Sequence, residues 1–196
     1  QEAGSLSCAF DMTTKGILHA VFEESDYSRL AHWDNSKGKF QPSGLVGFWP
    51  SRSVTFVSNH DTDSTQRHWP FPPHALEQGY AYILTHPGTP CVFYDHIFHE
   101  SNLKHVIRRL ISHRRSEGID ARSEVDIWHH DTDMYVARIT RYEADGAEGD
   151  DRTIRGALVV KLGPRDFAPD PAKYEIVDKG HNWAVWRKVL EELVEE

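Results

Sequence analysis

The densest set of side chains able to bind or transform a polar substrate lies in residues 54–71, VTFVSNHDTDSTQRHWPF. Val54-Thr55-Phe56-Val57 is β-branched and aromatic, the composition of a strand buried on both faces of a parallel sheet. It breaks into Ser58, Asn59, His60, Asp61, Thr62, Asp63, Ser64 and Thr65, all polar. Loops that follow parallel strands share one rim, and α/β proteins carry their chemistry there. Gln66, His68 and Trp69 come next, before Pro70-Phe71-Pro72-Pro73 closes the loop. A carboxylate, an imidazole, an amide and an indole together suit a sugar ring. Polar edges hydrogen-bond hydroxyls, and a flat apolar face covers C–H groups. The residue types alone leave a second reading open, because Asn, Asp and Ser also cap helices by accepting from orphan amides. A metal reading of His60, Asp61 and Asp63 is weaker: three donors so close in sequence do not encircle an ion without further ligands.

Three strand–helix units must position this loop. The first has a strand over 6–10 ending at Asp11, then a helix capped by Thr13 or Thr14 with Ile17, Leu18, Val21 and Phe22 on one side. Residues 25–49 read as a long connector, broken at Gly38, Pro42, Gly44 and Gly47 and anchored on the body by Trp33, Phe40, Phe48 and Trp49. The second unit is the strand at 54–58 and a helix from about Pro73, with Leu76, Tyr80, Ile83 and Leu84 on one face. The third is a strand at 90–94 ending in Asp95-His96, then a helix carrying Leu103, Val106, Ile107, Leu110 and Ile111. Its opposite face, Arg108, Arg109, Arg114 and Arg115, reads as solvated, with Gly118 as the stop. Such units predict a parallel sheet with right-handed crossovers. So short a sheet cannot close a barrel, and its edges need covering or completing.

From about Ile119 the rhythm changes. Segments at 125–128, 134–139, 158–161, 174–177 and 183–186 alternate as strands joined by turns, which predicts an antiparallel sheet. Residues 141–153 are acidic and read as a long exposed hairpin loop; Val189, Leu190, Leu193 and Val194 suggest a short tail helix. His130-Asp131-Thr132-Asp133 repeats the tetrapeptide at 60–63 but lies between two strands, where Asp and Thr are ordinary turn residues. The predicted organisation is therefore a strand–helix domain over 1–118 and an antiparallel β domain over 119–196.

The sequence has 196 residues and a formal net charge of −8. A complete (β/α)8 barrel needs about 250 residues. The acidic balance argues against nucleic acid or an anionic membrane as partner and sits well with a neutral carbohydrate. No apolar run is long enough to span a bilayer. Cys8 and Cys91 lie in strand-like segments and read as two buried free thiols. A strand between theirs would keep them too far apart to bridge.

SVTFVSNHDTDSTQRHWPFP, followed by LEQGYAYILTHPGTPCVFYDH, closely resembles the plant-type α-amylases. The resemblance reaches back to AFDMTTKGIL and forward to VVKLGPR and HNWAVW, and covers only the C-terminal part of that family. It implies the last three βα units of a (β/α)8 TIM barrel followed by a small antiparallel β domain. It also implies endo-hydrolysis of α-1,4-glucosidic bonds in starch, glycogen or maltooligosaccharides, with retention. On this resemblance Asp61 is the third catalytic acid and His60 a substrate-binding histidine, while Gln66, His68 and Trp69 shape sugar subsites. The nucleophile and the acid/base belong to earlier strands of the family, upstream of Gln1, so the fragment alone is expected to be inactive. Asp11 and Asp95 end the other two strands but read as rim and cap residues. Calcium is expected for the full-length family member, with its ligands outside this chain. Ser58 stands where plant members usually have Asp, and Asp63 and Arg67 replace small or neutral residues. The alternatives are a non-catalytic glucan-binding or scaffold protein, or a subunit that completes a barrel supplied by another chain. The compartment stays open: secretion or the plastid fits the family.

Overall fold

A computed structural model describes residues 7–63, 66–98, 101–142 and 153–189. The chain runs β1 (Ala9–Phe10), α1 (Met12–Glu24), β2 (Ala31–Asp34), β3 (Lys39–Pro42), α2 (Leu45–Phe48), β4 (Ser53–Phe56), α3 (Leu76–Thr85), β5 (Thr89–Cys91), α4 (Tyr94–Phe98) and α5 (Ser101–Ser116). It continues as β6 (Glu124–His130), β7 (Tyr135–Tyr142), β8 (Ile154–Leu162), β9 (Tyr174–Gly180) and β10 (Trp183–Lys188). Strands β1, β4 and β5 pair in parallel in that order, so β4 lies between the strands near the two cysteines. Cys8, just before β1, is nevertheless exposed, and Cys91, in β5, only partly buried, because β1 and β5 are the edge strands of the described sheet.

Asp11 organises the first unit. Its carboxylate accepts from the amide of Thr14 at 2.8 Å, so Asp11, and neither Thr13 nor Thr14, is the N-cap of α1. An Asp at this position satisfies the N3 amide directly, and Thr14 becomes a donor to it. The same carboxylate accepts from the Val46 amide and the Ser53 hydroxyl, both at 2.8 Å, which ties α1, α2 and β4 together. This close approach depends on Gly44, whose φ of +96° favours glycine and whose missing Cβ would collide with the Thr14 hydroxyl.

The connector is more structured than its breakers suggest. It holds the antiparallel β2–β3 hairpin and the short α2. Of its four aromatic anchors only Phe40 packs on the body, with its ring centroid 3.9 Å from that of His130. Trp33, Phe48 and Trp49 are exposed.

Strands β6 to β10 form one antiparallel sheet in the order β6–β7–β8–β10–β9. Strand β8 is central, and both of its faces are also covered. Leu158 and Val160 join the main core, while Val159 packs with Met134, Val136 and Trp186 on the far side. The main core is continuous across residues 118–119: Leu18, Tyr80 and Ile107 share it with Ile139, Leu158 and Val185. Polar contacts reinforce this seam. Arg109 binds Asp178 through two nitrogens at 3.0 and 3.1 Å, and Trp183 Nε1 donates to Glu77 at 3.0 Å. The 130–133 segment is a hairpin turn in which Asp131 Oδ1 accepts from the amides of Asp133 and Met134.

The expectation of a solvated arginine face on α5 holds for Arg108 and Arg115 but fails for Arg114. Arg114 is buried and donates to the carbonyls of Leu84, His86 and Gly88. The last carbonyls of α3 have no partner within their own helix, and a guanidinium is the donor best shaped to serve several at once. Gly118 does stop α5: with φ +61° it donates to Arg115, and Ile119 donates to Arg114, the two bonds of a Schellman cap. No helix among the described residues is long and apolar enough to cross a membrane. The predicted tail helix and most of the acidic 141–153 loop lie outside the described residues.

Candidate functional site

The chain leaves β4 through Val57 and Ser58, both buried, and then turns sharply. Asn59 makes the turn. Its Oδ1 accepts from the amides of Asp61 at 3.1 Å and Thr62 at 2.9 Å, and its own amide donates to Thr62 Oγ1 at 3.1 Å. The result is a self-contained Asx turn. The following turn is held by bonds from the Asp63 amide to the Asn59 carbonyl and from the Trp69 amide to the Thr62 carbonyl, both at 3.0 Å.

His60 and Asp61 sit at the tip. His60 Nε2 lies 3.3 Å from Asp61 Oδ1, and the two side chains are 80% and 61% exposed. The structure therefore brings these two candidates together and leaves both open to solvent. Asp61 is held at this turn by its backbone, through the Asn59 side chain and not through Ser58. The Ser58 hydroxyl is buried and finds no hydrogen-bond partner among the described residues.

Gln66 and His68 are exposed farther along the same loop. Trp69 is drawn back onto α1. Its carbonyl accepts from Lys15 Nζ at 3.0 Å, and the same ammonium lies 4.0 Å from the centroid of its ring. Burial pulls the Lys15 pKa down to about 8, partly offset by the Asp63 carboxylate. Only part of the indole surface thus stays available for a sugar.

Asp11 is taken out of contention by its place in the fold. It is 1% exposed, and its oxygens are occupied by Thr14, Val46 and Ser53. Asp95 lies in the first turn of α4, on an open pocket of about 680 Å³ that also meets Asp63, Arg67, Phe71 and His96. His96 Nδ1 is 2.7 Å from Tyr80 Oη, and its Nε2 is 3.6 Å from Asp63 Oδ2. Sequence reasoning passed over Lys15, Tyr80 and His96. Lys15 carried one weak signal, a cation on the otherwise apolar stripe of α1.

Among the described residues no group of three or more His, Cys, Asp or Glu side chains could hold a metal ion.

Residues 116–187 match the family described as the alpha-amylase C-terminal beta-sheet domain. Over 186 residues the chain is 42% identical to probable alpha-amylase 2 of Arabidopsis thaliana, covering 94% of this chain and 40% of that protein. It is 44% identical over 180 residues to the chloroplastic alpha-amylase 3 of the same plant, covering 91% of this chain and 18% of that one. It therefore spans less than half the length of either Arabidopsis relative. A cyclomaltodextrin glucanotransferase with a three-domain ABC distribution superposes with TM-score 0.60 at 14% identity, over 93% of this chain and 44% of that one, a likeness of fold. The alpha-amylase type B isozyme of Hordeum vulgare is 44% identical over 147 residues, which cover 74% of this chain and 86% of the barley sequence. Identity at that level across most of a relative's length decides the matter: this chain belongs to the α-amylase family.

Proposed function

We propose that the chain supplies one sector of a retaining α-1,4-glucan hydrolase: three βα units of a (β/α)8 barrel, with the antiparallel sheet packed behind them. The observation that carries this reading is the Asp61–His60 pair, exposed on a locked turn at the C-terminal end of a buried parallel strand. Retaining hydrolysis needs a nucleophile and an acid/base flanking the scissile bond. In this reading both come from strands outside the described residues, and calcium is held there too. Asp61 then acts as a third carboxylate that grips sugar hydroxyls more strongly as the ring flattens toward an oxocarbenium-like state. The substrates are starch, glycogen and maltooligosaccharides, and the chain alone does not turn them over.

Exposed Phe10 and Met12 beside β1, with Tyr94 and Phe98 beyond β5, favour a further surface against both edges of the parallel sheet. That surface is further polypeptide of the same protein or a second chain that completes the barrel. The test is steady-state kinetics on a soluble maltooligosaccharide in the complete barrel. Asp61→Asn should lower kcat at least about a hundredfold, in line with loss of a preorganised electrostatic group. A near-parental kcat would make the 59–62 turn a structural feature only.

A further inference from the structure

The loop that presents Asp61 is tied, two residues later, to the helix that follows the neighbouring strand. Asp63 Oδ2 faces the buried His96 ring, 3.6 Å from Nε2. This is an electrostatic pairing slightly longer than a hydrogen bond. On the other side of the ring Nδ1 lies 2.7 Å from Tyr80 Oη. That phenol oxygen accepts the Phe93 amide at 3.3 Å, which leaves its own proton available to donate to His96 Nδ1. Burial pushes the Tyr80 pKa far above its ordinary range, which keeps the phenol protonated. A hydroxyl that donates to Nδ1 fixes a neutral imidazole with its proton on Nε2, facing the Asp63 carboxylate. Lys15 adds a positive charge near the Asp63 carboxylate.

The consequence concerns Asp61. Its side chain is exposed, and its backbone hangs on a turn rooted in β4 at Asn59. An electrostatic group contributes to a transition state only when held within about 0.5 Å of its working position. Asp63 supplies a second tether on the other side of the tip. We infer that Tyr80, His96 and Asp63 form a relay that positions Asp61, with Asp63 a positioning residue and not a catalytic one. This inference rests on the reading of Asp61 given above. It also gives a role to Asp63, one of the residues in which this loop departs from plant members.

The test has two parts. Long-range proton–nitrogen NMR on the chain itself, with His96 assigned by loss of its signals in His96→Gln, reads the tautomer. A neutral Nε2–H ring that becomes a tautomer mixture in Tyr80→Phe is the expected result; an Nδ1–H ring in the parent overturns the relay. Positioning is read in the complete barrel on a maltooligosaccharide. Asp63→Asn should lower kcat about tenfold with KM within about twofold, and Asp63→Glu should recover part of the loss, as expected for a supporting group. If Asp61→Asn loses activity while Asp63→Asn keeps its kcat, the inference fails and the role of Asp61 stands. If Asp61→Asn itself keeps its kcat, both fail together.

Discussion

Two carboxylates follow two neighbouring parallel strands, and the fold treats them in opposite ways. Asp11, after β1, is 1% exposed and binds Thr14, Val46 and Ser53. Asp61, beyond β4, is exposed and paired with His60 on a turn held by the side chains of Asn59 and Thr62 and by the backbone. Both come just after the C-terminal ends of parallel strands. The difference lies in what surrounds each. Beside β1, the start of α2 aims its amides at the carboxylate, and Gly44 lets it come close. Beyond β4, the long loop leads away to α1 and leaves the carboxylate at its tip. Position at a strand end is thus insufficient to nominate a functional acid. An acid whose oxygens are already spent inside the fold holds structure, and one held by its backbone keeps its carboxylate open to solvent and to a ligand.

The sharpest way to break this contrast is to remove each acid in turn. Asp11→Ala strips a buried acceptor from donors in three segments and should cost about 3–5 kcal/mol, the range for uncompensated loss of a buried hydrogen-bonded charge. Asp61→Ala should change stability by no more than about 0.5 kcal/mol, as is usual for an exposed site. Urea unfolding of the chain, followed by tryptophan fluorescence, measures both. Similar midpoints for the two variants would erase the distinction.

A smaller effect tests the seam behind the site. His86 is fully buried, with Nδ1 3.0 Å from the Tyr82 carbonyl and Nε2 2.9 Å from Tyr135 Oη of the antiparallel sheet. Burial pulls its pKa down to about 3. The unfolded chain takes up this proton near pH 6.5, while the folded one resists it until about pH 3. Stability from this group is therefore complete above about pH 6.5 and is lost as pH falls toward 3. The loss reaches at most about 3.5 kcal/mol by pH 4, at about 1.4 kcal/mol per unit. His86→Gln should unfold at a lower urea concentration at pH 7, yet lose less on acidification than the parent. Parallel profiles for the two would show that His86 charges freely in the folded state.

The sequence disclosed these regions unevenly. The change from strand–helix units to an antiparallel sheet was readable because the hydrophobic period itself changes after Gly118, and the pairing follows that reading. Adjacent residues were readable too: His60 and Asp61 meet because they are neighbours on one turn. What stayed hidden depends on distant partners. Arg114 looks like Arg108 and Arg115 on a helical wheel, and only the stranded carbonyls at the end of α3 distinguish it. The sequence offers both the threonines and Asp11 as caps of α1, and what decides for Asp11 is its burial against α2, which the connector conceals. His96 gave no local sign that it would bridge Tyr80 and Asp63.

The smallest expected effect asks what holds the loop beyond the acid. Trp69 covers the Lys15 ammonium and accepts its hydrogen bond, and its ring also lies against Gly16 of α1. A partly buried cation–π contact contributes about 0.5–2 kcal/mol. A lysine held where burial lowers its pKa to about 8 has also given up hydration, so the two terms partly cancel. Lys15→Met keeps the apolar stem in place and removes only the charge. It should therefore cost about 1 kcal/mol or less, with faster hydrogen exchange at the Trp69 amide, which bonds to Thr62. Trp69→Ala removes the covering surface as well and should cost more. If Trp69 lines a sugar subsite as proposed, the same variant in the complete enzyme should raise KM with kcat less affected, because stacking binds ground and transition states alike. If Lys15→Met leaves exchange at Trp69 unchanged, the loop is held by its Asx turn and ring packing alone, and the pull of α1 on the indole is steric.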